Sequence, residues 1–153
     1  MTNIQFRQAI INDLAVLLQF EQEIVKAERP FDSTLKDGEP QYYNFPHLIE
    51  SPKAMLLLAE TDDEVIASGF VEIRRAEDYL KHTEYAYMGL MYVKDNFRGM
   101  GINRQMVERL KEWVLKQNVY EVRLMVYDDN TVAKNAYVKA GFKPHVLEMR
   151  MEI

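Results

Sequence analysis

The chain opens on an alternation. From Ile4 to Ala9 apolar and polar residues trade places, the period of a half-buried strand. Asn12 or Asp13 offers an N-cap. From Leu14 apolar residues then recur at helical spacing through Val16, Leu17, Phe20, Ile24 and Val25. A helix to about Ala27 is predicted, closed by Arg29-Pro30 because the residue before proline disfavours helical backbone. The stretch from Phe31 to Phe45, with Pro30, Gly38, Pro40 and Pro46 in and around it, reads as a loop. It carries the aromatic residues Phe31, Tyr42, Tyr43 and Phe45.

The pattern then changes period. A short helical turn over His47 to Glu50 precedes Pro52. Ala54 to Glu60 and Val65 to Arg74 read as strands joined by the tight turn Thr61 to Glu64, a hairpin. Tyr85 to Val93 is a third long strand after the charged connection Arg75 to Thr83. Ile102 to Val119 is amphipathic with helical spacing. A strand over Val122 to Tyr127, a helix from Thr131 to Ala140 and a last strand over Val146 to Met151 complete the reading. The order β-α-β-β-β-α-β-α-β predicts an α/β protein with a mixed sheet and helices on both faces. Repeats, linkers and low-complexity tracts are absent from the sequence, so 1–153 reads as one domain.

Composition narrows the chemistry. With 153 residues, 48% hydrophobic and 28% charged, the chain has the make-up of a globular protein with a sizeable core. A net charge of −5 argues against nucleic acid as the main partner. There are no cysteines, which excludes disulfides, thiolate nucleophiles and cysteine metal sites. His47, His82 and His145 lack metal-type spacing, so no metal is expected. The N-terminus has no leader pattern and no apolar run is long enough for a membrane span, so a cytoplasmic protein without a membrane partner is expected.

The densest chemical signal is Arg98-Gly99-Met100-Gly101-Ile102-Asn103, between the third long strand and the amphipathic helix. A Gly-rich strand-to-helix turn can present bare backbone N–H groups to a phosphate, and it can also be a plain helix start. A second segment is Asn130-Thr-Val-Ala133-Lys-Asn-Ala-Tyr137-Val-Lys-Ala-Gly141-Phe142. Together the two resemble the GNAT superfamily of acetyl-CoA-dependent N-acetyltransferases. The first fits that family's Q/R-x-x-G-x-G/A loop, with Asn103 where Gly or Ala is usual. The second fits its N-x-x-A-x-x-x-Y-x-x-x-G-F segment throughout. The resemblance covers the chain well from about Met55 onward and the N-terminal third loosely.

The resemblance implies a GNAT-like mixed, splayed sheet and acetyl-CoA as cosubstrate. It places the backbone of Met91, Tyr92 and Val93 along the pantetheine arm. Arg98, Gly99, Met100, Gly101, Ile102 and Asn103 would hold the pyrophosphate. Asn130 would meet the arm, cap the next helix, or both. Tyr137 would be the general acid that protonates the departing thiolate. The acceptor would be a small-molecule or peptide amine, and a homodimer is within the family's range.

The general base is harder to place. Two positions where the family keeps a carboxylate are Gly89 and Met125 here. Glu72, Glu84 and Tyr85 are the candidates left near the expected cleft. Tyr42, Tyr43 and Tyr87 are candidates for the acceptor pocket, and Asp32, Asp37 and Glu39 beside the loop aromatics would suit a cationic acceptor. The expected activity is therefore acetyl transfer by direct attack in a ternary complex. The alternatives are transfer of a longer acyl group, or a non-catalytic CoA-binding sensory module.

Overall fold

The structure, a computed structural model, describes residues 2–153. Five strands form one sheet in the order β1-β2-β3-β4-β5: Gln5–Gln8, Ala54–Glu60, Val65–Arg75, Glu84–Val93 and Val122–Arg123. The first three junctions are antiparallel and β4 runs parallel to β5. The α-helices are α1 (Leu14–Glu28), α2 (Phe45–Glu50), α3 (Ile102–Lys116) and α4 (Thr131–Lys139). The parallel junction is the one that has a helix, α3, in its connection, as a parallel crossover requires.

Two cores lie on the two faces of the sheet. On one, Met106, Val107, Leu110 and Val114 of α3 pack on Leu57, Ala59, Val71, Ala86 and Met88. On the other, Leu17 of α1 and Phe45 and Leu48 of α2 pack on Leu56, Leu58, Phe70 and Leu90. Strands β2 and β3 are covered on both sides, which is why each reads as a nearly unbroken apolar run. The predicted layering is therefore present, with helices on both faces of a mixed sheet.

Alternation along β4 breaks once, and the break matters for the site. Phe70 of β3 pairs with Gly89 and Ser68 with Tyr92, so two residues of β4, Leu90 and Met91, oppose Gly69 alone. Leu90 sits at φ +52°, a rare conformation for a branched residue. Its carbonyl is held by the buried Ser68 hydroxyl at 2.9 Å. The bulge turns Leu90 to the α1 face, beside Gly89, and returns Met91 to the α3 face.

Two expectations fail near the C-terminus. The strand expected over Val122 to Tyr127 pairs only at Val122–Arg123. The last strand expected over Val146 to Met151 is absent, and no regular element follows Lys139. Its residues have strand alternation, but a strand exists only where a neighbouring edge accepts its hydrogen bonds. Helix α3 also stops at Lys116 instead of reaching Val119, where Asn118 takes φ +58° to end it.

Candidate active site

Past Arg123 the β4–β5 ladder ends, and the two strands part just below the bulge. Residues 91–93 of β4 run up one side of this opening. Met91 and Val93 point into the α3 core, while the Tyr92 ring packs on Phe20 of α1 at 4.7 Å. Their side chains are structural, and the backbone around the bulge is what the opening offers.

The loop above β4 is held by its own arginine. Arg98 donates from Nε to the Val93 carbonyl at 3.1 Å and pairs through Nη2 with Asp95 at 3.0 Å. Gly99 and Gly101 adopt φ +79° and +76°, conformations that disfavour any side chain. Gly101 is the N-cap of α3 and brings no side-chain acceptor. Among the described residues, the backbone N–H groups of 99–104 have no hydrogen-bond partner. Ile102 is buried under the loop and Met100 is exposed, so the loop is anchored from below and open above. This is an anion cradle built from N–H groups and a helix dipole, and it fits a pyrophosphate. Asn103 stands in the first turn with its backbone free to take part. Lys94, flanking the loop, pairs with Glu64 instead of facing the cradle.

The second motif lies across the opening. The Asn130 side chain accepts from the Ala133 N–H at 3.2 Å, so it caps α4. One helical turn further on, Tyr137 is half-buried and stacks edge-on against Phe142 at 5.8 Å. Burial raises its hydroxyl's pKa, and the negative charge of Glu28 pushes the same way.

The predicted base candidates are brought together only in part. Glu72 lies opposite Tyr87 on the α1 face, and both its oxygens are engaged, with His47 at 3.1 Å and Arg74 at 2.9 Å. Tyr85 lies under the Arg123 guanidinium at 3.9 Å. Glu84 pairs with Lys53 at 3.6 Å and lines a separate concavity with Arg75, Glu77 and His82. Glu84 is seven residues before Met91, about 23 Å along an extended strand. Gly89 itself is closed: a Cβ there would stand 2.7 Å from the Phe70 ring and 3.1 Å from the Tyr43 hydroxyl. Aromatic groups fill the room that a carboxylate at this position would need. Met125, the other usual position, is 74% exposed and carries no ionisable group.

Sequence reasoning missed Glu28, the last residue of α1. Its charge acts on the hydroxyls of Tyr42, Tyr43, Tyr87, Tyr127 and Tyr137 and raises the pKa of each. Desolvation raises its carboxyl's pKa, and the neighbouring Asp32 charge adds to that. Asp32 is committed elsewhere. It accepts from the Thr34 hydroxyl and N–H and from Tyr127 at 2.9 Å, and pairs with Arg150 at 3.2 Å. These donors hold its carboxyl well below the usual range. Asp37 and Glu39 remain on the exposed loop.

The loop that carries Tyr42 and Tyr43 is pinned by Glu21, a fully buried carboxylate on α1. Its Oε2 accepts from the Tyr42 and Tyr43 N–H groups at 2.9 and 3.0 Å, while Gln22 donates to the Pro40 carbonyl at 2.9 Å. Tyr43 then packs on Phe70 at 5.0 Å, and Phe70 meets Tyr87 at 6.3 Å. Burial pushes the Tyr42 hydroxyl up to about 12, and it has no hydrogen-bond partner. Glu28 escaped the sequence reading because a helix-terminal glutamate before Arg-Pro looks solvated. Its surroundings come from the aromatic loop, β4 and α4, all distant in sequence.

A splayed mixed sheet with helices on both faces and an open N–H cradle after β4 is an arrangement suited to acyl transfer. The chain belongs to the acetyltransferase (GNAT) family, whose profile matches residues 19–142. The fold is shared widely among solved structures. A mutant of the BH1408 protein from Bacillus halodurans superposes with a TM-score of 0.87 at 19% identity, covering 97% of this chain and 99% of the other. A predicted acetyltransferase from Clostridium acetobutylicum, crystallised with acetyl-CoA, gives 0.77 at 18% identity, covering 98% and 96%. Glucosamine-6-phosphate N-acetyltransferase from Arabidopsis thaliana gives 0.71 at 17% identity, covering 98% of each chain. No curated protein sequence matches the chain.

Proposed function

We propose that this enzyme moves an acetyl group from acetyl-CoA to a primary amine by direct attack in a ternary complex. The observation that carries the reading is the run of unpartnered N–H groups at 99–104, set at the head of the β4–β5 opening. Acetyl-CoA would supply the activated thioester there. Arg98 and the backbone of 99–103 would hold the pyrophosphate. The backbone of Met91, Tyr92 and Val93 would pair with the arm as an added strand. Asn130 holds the start of α4, and so the height of Tyr137. A backbone N–H freed by the bulge is the donor available to an oxyanion.

Tyr137 would donate its proton to the departing sulfur. Its raised pKa keeps it protonated at neutral pH, as an acid must be. Glu28 takes the role that Glu72, Glu84 and Tyr85 were expected to share. It is the carboxylate inside the tyrosine-lined cleft, and its raised pKa makes it a better proton acceptor than an ordinary glutamate. Tyr42, Tyr43 and Tyr87 would wall the acceptor side. An amine drawn into this cleft meets negative charge and aromatic faces, which suits a cationic acceptor.

Calorimetric titration with CoA and acetyl-CoA tests the donor site, and micromolar affinity is expected. No heat at high micromolar ligand would overturn the reading. An amine panel read by thiol release then separates enzyme from binding module. The module reading is favoured by the closed Gly89 position, and it wins if CoA binds but no polyamine, amino acid, aminoglycoside or peptide N-terminus is acetylated.

A further inference from the structure

Gly89 is a glycine for room and not for backbone freedom. Its φ is not positive, unlike those of Gly99 and Gly101, so other residues could adopt its backbone. What excludes them is the space beside it. A Cβ there would meet the Phe70 ring at 2.7 Å and the Tyr43 hydroxyl at 3.1 Å. Gly89 is also the last residue of β4 before the bulge, where the strand's backbone turns to the opening. The polar group at the side-chain place of residue 89 therefore does not come from β4. The loop between α1 and α2 delivers it, as a phenol.

Three contacts hold that phenol in place. Glu21, fully buried on α1, accepts the Tyr42 and Tyr43 N–H groups through a single oxygen, Oε2. The Tyr43 ring stands edge-on to Phe70 at 5.0 Å, and Phe70 is fixed opposite Gly89 by strand register. Phe45, buried in the same core, flanks the ring at 6.1 Å. Holding a loop by a buried carboxylate is unfavourable in itself, because Oε1 of Glu21 is left buried without a partner. What the arrangement secures is the placement of Tyr43. Burial raises the Tyr43 hydroxyl's pKa well above that of an ordinary phenol, against a lowering by the Leu90 backbone. The group is a neutral O–H, and no side chain among the described residues hydrogen-bonds to it.

We propose that the Tyr43 hydroxyl, set beside Gly89, accepts an N–H of the bound acceptor amine and turns the nitrogen lone pair toward the thioester. Glu21 is the positioning residue that keeps the hydroxyl there. The inference rests on the acetyl-transfer reading and adds a specific contact to it. Tyr43 makes and breaks no covalent bond, and Glu28 remains the proton acceptor. A neutral primary amine has two N–H groups and one lone pair. With one N–H held by a hydroxyl oxygen, the other is left for the base and the lone pair is free to attack.

Tyr43→Phe keeps the ring on Phe70 and removes only the oxygen, so it decides the main claim on its own. Spermidine, lysine, kanamycin and an alanine tetrapeptide serve as acceptors, read by thiol release, and kinetics use the one turned over fastest. The bond forms in the bound amine and lasts through attack, so its loss should appear in KM. The amine KM should rise about fivefold to tenfold, with kcat within about threefold and acetyl-CoA affinity within about twofold. Glu21→Leu should raise the amine KM at least as much, and Tyr43→Phe made in that background should add nothing. Glu21→Gln keeps a carbonyl oxygen for the two N–H groups and should hold the amine KM within about threefold of the unaltered enzyme. An unchanged amine KM in Tyr43→Phe, or a loss confined to kcat, would overturn the role of Tyr43. Additive effects of the two substitutions would overturn that of Glu21. An unaltered protein that binds CoA and acetylates none of these amines would overturn the acetyl-transfer reading, and this inference with it.

Discussion

Tyr137 on α4 and Glu28 at the end of α1 influence one another electrostatically. Burial raises the pKa of each, which suits a carboxylate that accepts a proton and leaves the phenol protonated. Tyr137→Phe removes the proton and keeps the ring against Phe142. Turnover should fall about 10²-fold, while acetyl-CoA affinity stays within a factor of about two. Steady-state kinetics with calorimetry checks both. Glu28→Gln tests the base by pH. The folded-state pKa of Glu28 is raised, so the ionised form accumulates only above the ordinary carboxylate range. In the unaltered enzyme kcat/KM should climb with pH through that raised value. The Gln variant should lose that acidic limb and about 10²-fold in rate at neutral pH. Retention of the limb would assign it to another group, with Glu72 the next candidate.

At the scale of elements, one carboxylate joins β1 to α1. Asp13 accepts from both terminal nitrogens of Arg7 at 2.8 and 2.9 Å and from the Ile10 N–H at 2.8 Å. The Arg7 guanidinium lowers the Asp13 pKa first of all, against a desolvation cost. A lowered folded-state pKa means the stabilisation is present above the unfolded value and is lost as pH falls through the folded one. Asp13→Ala should cost about 1–2 kcal/mol at neutral pH. The deficit should shrink as acid titrates the unaltered protein, and urea melts across pH measure it. The sequence pointed to Asn12 or Asp13 as the cap; Asp13 holds the N-cap position of α1, but its carboxylate turns back to Arg7 and the Ile10 N–H and makes no capping bond to the helix. The element boundaries were legible wherever packing agreed with pattern: β2 starts and ends where its apolar run does, and α1 stops beside Arg29-Pro30. The failure at Val146 to Met151 has the opposite cause. Side-chain alternation records which face is apolar, and pairing depends on whether an edge is in register beside it.

For the whole molecule, the two cores divide the work. The α3 core supports the cradle through Ile102, and the α1–α2 core supports the acceptor cleft through Phe45 and Phe70. Among the described residues no helix is long and apolar enough to cross a membrane. The proposed donor side was readable because its motifs act through backbone, and Gly99, Gly101 and Asn130 announce backbone geometry in the sequence itself. The proposed acceptor side was not, because its pieces come from α1, the aromatic loop, β4 and α4.

What the sequence determined by itself is the order of elements from β1 to α4 and the mixed sheet, each from local periodicity. The resemblance to the family supplied the CoA-type loop and the tyrosine of α4 as expectations. The tertiary structure alone decided that the room beside Gly89 is filled by Phe70 and Tyr43, and that Glu28 is partly desolvated. It alone decided that the final alternation pairs with no strand among the described residues. Desolvation and strand pairing are properties of neighbours distant in sequence, so no local pattern encodes them.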